Sequence, residues 1–114
     1  MCNQITINKI TIKVVEAAKI SLGDKLDKVI LYGSCARGDY DNESDIDIMV
    51  LADIPAGNHN PIRRVIHSLL DYIDLEYDVV LSLNVNDSET FNKYCNDLPF
   101  YMNVVKDGMV LYDK

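Results

Sequence analysis

Lys28-Val29-Ile30-Leu31-Tyr32-Gly33-Ser34-Cys35-Ala36-Arg37-Gly38 and, after a short polar loop, Ser44-Asp45-Ile46-Asp47-Ile48-Met49-Val50-Leu51 are the two runs from which the fold reads. Lys28 to Tyr32 is a short apolar run with β-branched residues, the pattern of a buried strand. It enters Gly33-Ser34 directly, so the chain must turn tightly there, and Ser34 to Gly38 has room to open a short helix. Asp39 to Glu43 is the loop. Ser44 to Leu51 alternates polar and apolar residues and reads as a second strand.

The rest of the chain is laid out around these two strands. Upstream, Ile10, Val14, Val15, Ala17, Ala18 and Leu22 fall at helical spacing, giving an amphipathic helix over residues 10–22 that ends near Gly23. Downstream, Ala52 to Asn60 is a loop, and Asn60-Pro61 has the form of a helix N-cap and first helical residue. Ile62, Val65, Ile66, Leu69, Leu70 and Ile73 make the clearest helical stripe. A third strand is expected from about Glu76 to Asn84. Asp87 is placed to cap a helix reaching about Cys95, Pro99 to open another through Lys106, and Gly108 to Tyr112 to form a last strand. The fold class is therefore α/β (α+β): a small mixed β-sheet flanked by helices, in the order α-β-turn-β-α-β-α-β. At 114 residues, with no repeat or long linker, the chain reads as one domain, residues 1–114.

Composition narrows the function classes. The net charge of −7 argues against broad binding to nucleic acid or an anionic membrane surface. No direct nucleic-acid partner and no membrane partner are expected. A nucleotide remains compatible, because a metal ion supplies positive charge locally. Lys9 and Lys13 interrupt the N-terminal apolar residues, so no signal peptide or membrane span is expected. Cys2, Cys35 and Cys95 form neither a C-x-x-C motif nor a ligand cluster with histidine. A disulfide framework or zinc knuckle is thus unexpected, and a reducing, cytoplasmic location fits.

The chemistry concentrates in the acidic strand. Asp45 and Asp47 are two apart, so both leave the same face, while Ile46, Ile48 and Val50 take the other. Paired carboxylates repel unless a cation shares them, and oxygen ligands at this spacing suit Mg²⁺. Asp78 interrupts the run Tyr77-Asp78-Val79-Val80-Leu81 and shares a strand face with Val80 and Ser82. If that strand neighbours the second, three carboxylates converge as metal ligands and catalytic residues, the protein half of a two-metal phosphoryl-transfer site. Gly33 admits a phosphate close to the backbone, Ser34 adds a donor, and Arg37 neutralises phosphate or pairs with a nearby acid. Gly33, Ser34 and Arg37 are thus the candidate nucleotide-binding residues. Asp74 and Glu76 rank below Asp78 as third carboxylate. His59 and His67 have no partner at ligand or triad spacing, and Ser34 has no His-Asp companions for hydrolase chemistry. Phe91, Tyr94, Phe100, Tyr101 and Tyr112 supply a C-terminal aromatic cluster, read as core or as a partner surface. Each element alone is compatible with an ordinary turn or a solvated face. The conjunction Gly-Ser-x10-Asp-x-Asp arises by chance in a chain this long on the order of once in a thousand.

The stretch Leu31 to Gly38 followed by Ser44-Asp45-Ile46-Asp47-Ile48 strongly resembles the minimal nucleotidyltransferases of the DNA polymerase beta superfamily. The resemblance extends to Asp78 and to the closing segment Pro99 to Tyr112. Tyr32 stands where that family often has Phe, and Cys35 where it often has a larger or basic residue. The resemblance implies a nucleotidyltransferase-like fold, ATP or another nucleoside triphosphate as substrate, and two Mg²⁺ ions held by Asp45, Asp47 and Asp78. It further implies a HEPN-domain partner in a toxin–antitoxin module, with AMP passed to a hydroxyl of the toxin. Two other readings stay open: an antitoxin that only masks its partner, and transfer to a small molecule such as an aminoglycoside.

Overall fold

A computed structural model describes residues 2–57 and 59–114. Helix α1 spans Gln4–Leu22, six residues more at its N-terminus than the apolar stripe alone suggested. The Asn3 side chain accepts the Thr6 N–H and starts the helix, and buried Ile7 continues the spacing of Ile10, Val14 and Ala18 backward. Gly23 ends it at φ 54, and a single 3-10 turn, Gly23–Lys25, leads into strand β1, Leu26–Tyr32.

The short helix expected after the glycine is α2, Ser34–Arg37, and strand β2 is Ile46–Ala52. Helix α3, His59–Leu70, buries Ile66 and Leu70 but leaves Val65 and Leu69 exposed, so its apolar stripe is narrower than the sequence pattern. The stripe does not run unbroken to Ile73. Asp71 and Tyr72 interrupt it before a short helix α4, Ile73–Tyr77. Part of the expected 52–60 loop, Asn58, lies outside the described residues, as does the side chain of His59.

The third strand is the main correction. Strand β3 is Leu81–Asp87, five residues later than expected, because Ile73 to Tyr77 adds a helical turn. Asp78 closes that turn in a left-handed conformation, φ 53, and donates its N–H to the Asp74 carbonyl. The Asp74 side chain then accepts the Leu81 N–H at 3.0 Å and sets where the strand begins. Asp74 is therefore a structural cap. The clean alternation in the strand belongs to Leu81, Leu83 and Val85, which are buried, against the half-buried Ser82, Asn84 and Asn86.

Helix α5, Ser88–Tyr94, is capped by Asp87 accepting from Thr90 N at 2.9 Å. Helix α6, Pro99–Asp107, begins with proline at its first turn, and strand β4 is Met109–Asp113. The sheet order is β3-β2-β1-β4, with β2 and β3 parallel and the other pairs antiparallel, so the expected mixed sheet is present.

The sheet buries both faces differently. One face packs Val29, Leu31, Ile48, Val50, Leu81 and Leu83 against α1 and α3. The opposite face carries Ile30, Tyr32, Met49 and Leu51 against Phe91 of α5 and Val104 of α6. The aromatic residues do not form one cluster. Phe91 is buried and Tyr101 half-buried beside it, whereas Tyr112 lies on the first face with Lys19 over its ring. Among the described residues, no helix is long and apolar enough to cross a membrane.

Candidate active site

Three neighbouring strand ends build the site on the α5–α6 face of the sheet. In the ladder, Tyr32 of β1 pairs with Asp47 of β2, and Asp47 pairs with Ser82 of β3. Asp45 directly precedes β2 and is exposed; Asp47 is half-buried. Burial, then the charge of Asp45, pushes the Asp47 carboxyl above its ordinary value, while a hydrogen bond from Ser82 and the charge of Arg37 pull it down. The two aspartates therefore share one local field, the situation a divalent cation relieves. Oxygen-only donors on two carboxylates suit Mg²⁺, which keeps several of its waters.

The glycine turn lies against Asp47. Gly33 sits at φ 73 and ψ −157, and a Cβ there would lie 2.5 Å from Asp47 Oδ2. The sequence reading reserved Gly33 for a phosphate; here the carboxylate itself already occupies the space a side chain would need. Directly after it, α2 turns with Ala36 and Arg37 N–H groups donating to the Gly33 carbonyl, both at 3.1 Å. The N–H groups of Ser34 and Cys35 open the helix, where a helix provides no internal acceptors. Arg37 makes the ion pairs its alternative reading named: Nε to Asp39 and Nη1 to Asp107, each at 3.2 Å. It also lines an open cleft of about 430 Å³ with Gly33 and Tyr32.

Asp78 stands apart from the expected position. It is not on the strand face with Ser82, because it precedes β3 and caps α4. The Val80 carbonyl accepts the Ile46 N–H at 2.8 Å, which brings Val80 alongside the start of β2 and leaves Asp78 two residues upstream. It lines a separate cleft of about 310 Å³ with Asn42, Glu43 and Ser44. Among the described residues, no three His, Cys, Asp or Glu side chains are gathered to hold a metal. Glu76 is exposed on α4, and His67 is half-buried on α3.

Sequence reasoning missed the polar rungs of β3. Asn84 Nδ2 donates to Tyr32 Oη at 2.6 Å, and Tyr101 Oη donates to Asn86 at 3.3 Å. With the Ser82–Asp47 bond, alternate residues of one strand brace the carboxylate, the end of β1 and α6. The signal was the alternation from Leu81 to Asn86, hidden by starting the strand too early.

Cys35 packs behind the turn, its Sγ 3.7 Å from Cys2 Sγ and 3.4 Å from the Asp45 carbonyl. Burial, then the neighbouring Cys2 thiol, pushes Cys35 up to about 12. Because the thiolate is the nucleophile, Cys35 should resist alkylation in the folded protein. Native-state labelling followed by mass spectrometry should modify the partly exposed Cys95 first, and Cys2 and Cys35 only on unfolding. Labelling of Cys35 as fast as Cys95 would contradict its placement.

Comparison with known proteins now bears on this geometry. Residues 12–114 match the family described as polymerase beta, nucleotidyltransferase. The chain belongs to this nucleotidyltransferase family. It is 40% identical over 98 residues to a Methanocaldococcus jannaschii protein named "Putative protein adenylyltransferase MJ0604", covering 86% of this chain and 90% of that one. The nucleotidyltransferase also resembles solved structures. A toxin–antitoxin crystal structure with AMP-PNP superposes with a TM-score of 0.60 at 23% identity, over 91% of this chain and 73% of the other. A crystal structure of a point mutant of the toxin–antitoxin MntA-HpeT gives a TM-score of 0.54 at 28% identity, over 100% of this chain and 75% of the other.

Proposed function

We propose that this nucleotidyltransferase moves AMP from ATP onto a hydroxyl of a protein partner, a tyrosine of a helical HEPN-type toxin, and thereby acts as antitoxin. The observation that carries the reading is the close approach of Gly33 to Asp47, which sets the turn proposed to hold phosphate against a carboxylate proposed to hold the cation. The relative named a putative protein adenylyltransferase and the likeness to the MntA-HpeT toxin–antitoxin structure support the choice of a protein acceptor.

In this reading the Ser34 hydroxyl and the first N–H groups of α2 hold phosphate oxygens, and Arg37, fixed by Asp39 and Asp107, adds positive charge beside them. Asp45 and Asp47 would hold Mg²⁺, two ions being expected, which neutralises phosphate charge and lowers the pKa of an attacking hydroxyl. Asp78 lines the separate cleft beside Ser44, the residue before Asp45, and would take the acceptor's proton where the docked partner brings its hydroxyl between that cleft and Asp45. The new bond joins the acceptor oxygen to the α-phosphorus, the α–β bridging bond breaks, and pyrophosphate leaves.

Incubating the protein and its purified partner with ATP labelled on either the α- or the γ-phosphate tests this. The partner should retain α-label only. Retention of γ-label would indicate phosphoryl transfer instead, and no label with continued neutralisation of the partner would leave masking as the function. Asp78→Asn should bind Mg-ATP like the wild type yet lose transfer by on the order of a hundredfold or more, the usual worth of a general base. Transfer at the wild-type rate would remove Asp78 from the mechanism.

A further inference from the structure

Helix α6 closes the cleft at the glycine turn from the side opposite α2. Its first turn is held by Phe100, whose ring meets Tyr32 edge-on at 5.7 Å. Its last turn is held by Asp107, which pairs with Arg37 at 3.2 Å. Between them, fully buried Val104 fixes the helix to the sheet, and Asn103 and Lys106 face the cleft. The cleft is therefore polar in the sense of direction. At the Phe100 end stands Tyr32, paired in the ladder with the carboxylate Asp47. At the other end, six residues or about 9 Å along the helix, stand Arg37 and Lys106.

The charge balance at that far end is uneven. Arg37 already faces two carboxylates, Asp39 and Asp107. Lys106 is exposed and, among the described residues, makes no ion pair. A nucleoside triphosphate brings about four negative charges, and the rest of this acidic surface offers it little compensation. If the α-phosphate lies at Asp45 and Asp47, as the functional reading has it, the β- and γ-phosphates would pass Gly33 and enter the cleft toward Arg37 and Lys106.

We propose that α6 forms the second wall of the nucleotide cleft and that Lys106 binds the β,γ end of the triphosphate, and afterwards the leaving pyrophosphate. This rests on the nucleotidyltransfer reading above. An ammonium on a flexible stem suits phosphate oxygens that must first be held and then released, because it contacts them as a point charge without fixed geometry.

The test is calorimetric titration of the purified protein with Mg-ATP and, separately, with magnesium pyrophosphate. Lys106→Ala should weaken both about tenfold, the loss expected for one charge-assisted hydrogen bond in a half-open site. Lys106→Arg, which keeps the charge, should restore most of the affinity, and the melting temperature of both variants should match the wild type. Wild-type binding of Mg-ATP with Lys106→Ala unchanged within twofold for both ligands would overturn the role of Lys106 alone. A wild type that binds neither ligand would overturn this proposal together with the functional reading beneath it.

Discussion

Asp47→Asn should lose nucleotidyl transfer by on the order of a thousandfold or more and yet leave the ligand-free protein more stable at neutral pH. The first effect follows from removing half of the carboxylate pair proposed to hold the metal, which is asked for several kcal/mol of transition-state stabilisation. The second follows from the raised Asp47 carboxyl. Burial, and then Asp45, disfavour its ionised form in the folded state, while Ser82 only partly offsets them. A group whose folded pKa lies above its unfolded one contributes stability below the unfolded pKa and loses it as pH rises through the folded value. The wild type should therefore lose stability between the ordinary carboxylate range and the raised value of Asp47. The amide, which does not ionise, should not. Thermal melts of wild type and Asp47→Asn across that range should diverge as pH rises and coincide at acid pH. Adding Mg²⁺ at neutral pH should stabilise the wild type and not the variant. If Asp47→Asn melts lower at neutral pH, the carboxylate is held by favourable contacts rather than strained by its neighbour, and the electrostatic account of the pair fails.

Gly33→Ala should be damaging in both stability and activity. At φ 73 and ψ −157 the residue occupies a region that is essentially reserved for glycine, at a cost of about 1–3 kcal/mol for a side-chain-bearing residue. The added Cβ would also press on Asp47 Oδ2. Either the turn opens or the carboxylate swings away from Asp45, and each outcome separates the turn proposed to hold phosphate from the pair proposed to hold the cation. Transfer should fall far more than in Ser34→Ala, which removes one hydrogen bond to a charged oxygen and costs about ten- to a hundredfold. Full activity in Gly33→Ala would show that the turn is free to move without consequence for the carboxylates.

The parts of this site that were legible in the sequence are those set by local chemistry. Gly33-Ser34 after an apolar run, and Asp45-x-Asp47 ahead of Ile48, Met49 and Val50, specify turn and strand within a few residues, and the ladder confirms both. Asp87 and Pro99 marked helix starts for the same reason. The third strand was misread because Val79-Val80-Leu81 is as apolar as a strand while Asp74 caps the chain seven residues away, a contact that spacing alone does not display. Asp78 moved with that error. Ser82, Asn84 and Asn86 were equally hidden, since their partners Asp47, Tyr32 and Tyr101 come from three other elements. The start of α1 escaped because β-branched Ile5, Thr6 and Ile7 weaken helical propensity there, and the Asn3 cap with the burial of Ile7 overrides it.

The proposed task of the carboxylate pair beside Gly33 is to drive AMP transfer to a protein hydroxyl. Intact-mass and peptide mass spectrometry of the partner, co-expressed with either the wild type or the Asp45→Asn/Asp47→Asn double variant, tests it most directly. The partner should gain AMP on a tyrosine with the wild type and remain unmodified with the variant. A partner that is neutralised but unmodified with the wild type, or equally modified with both, would contradict it.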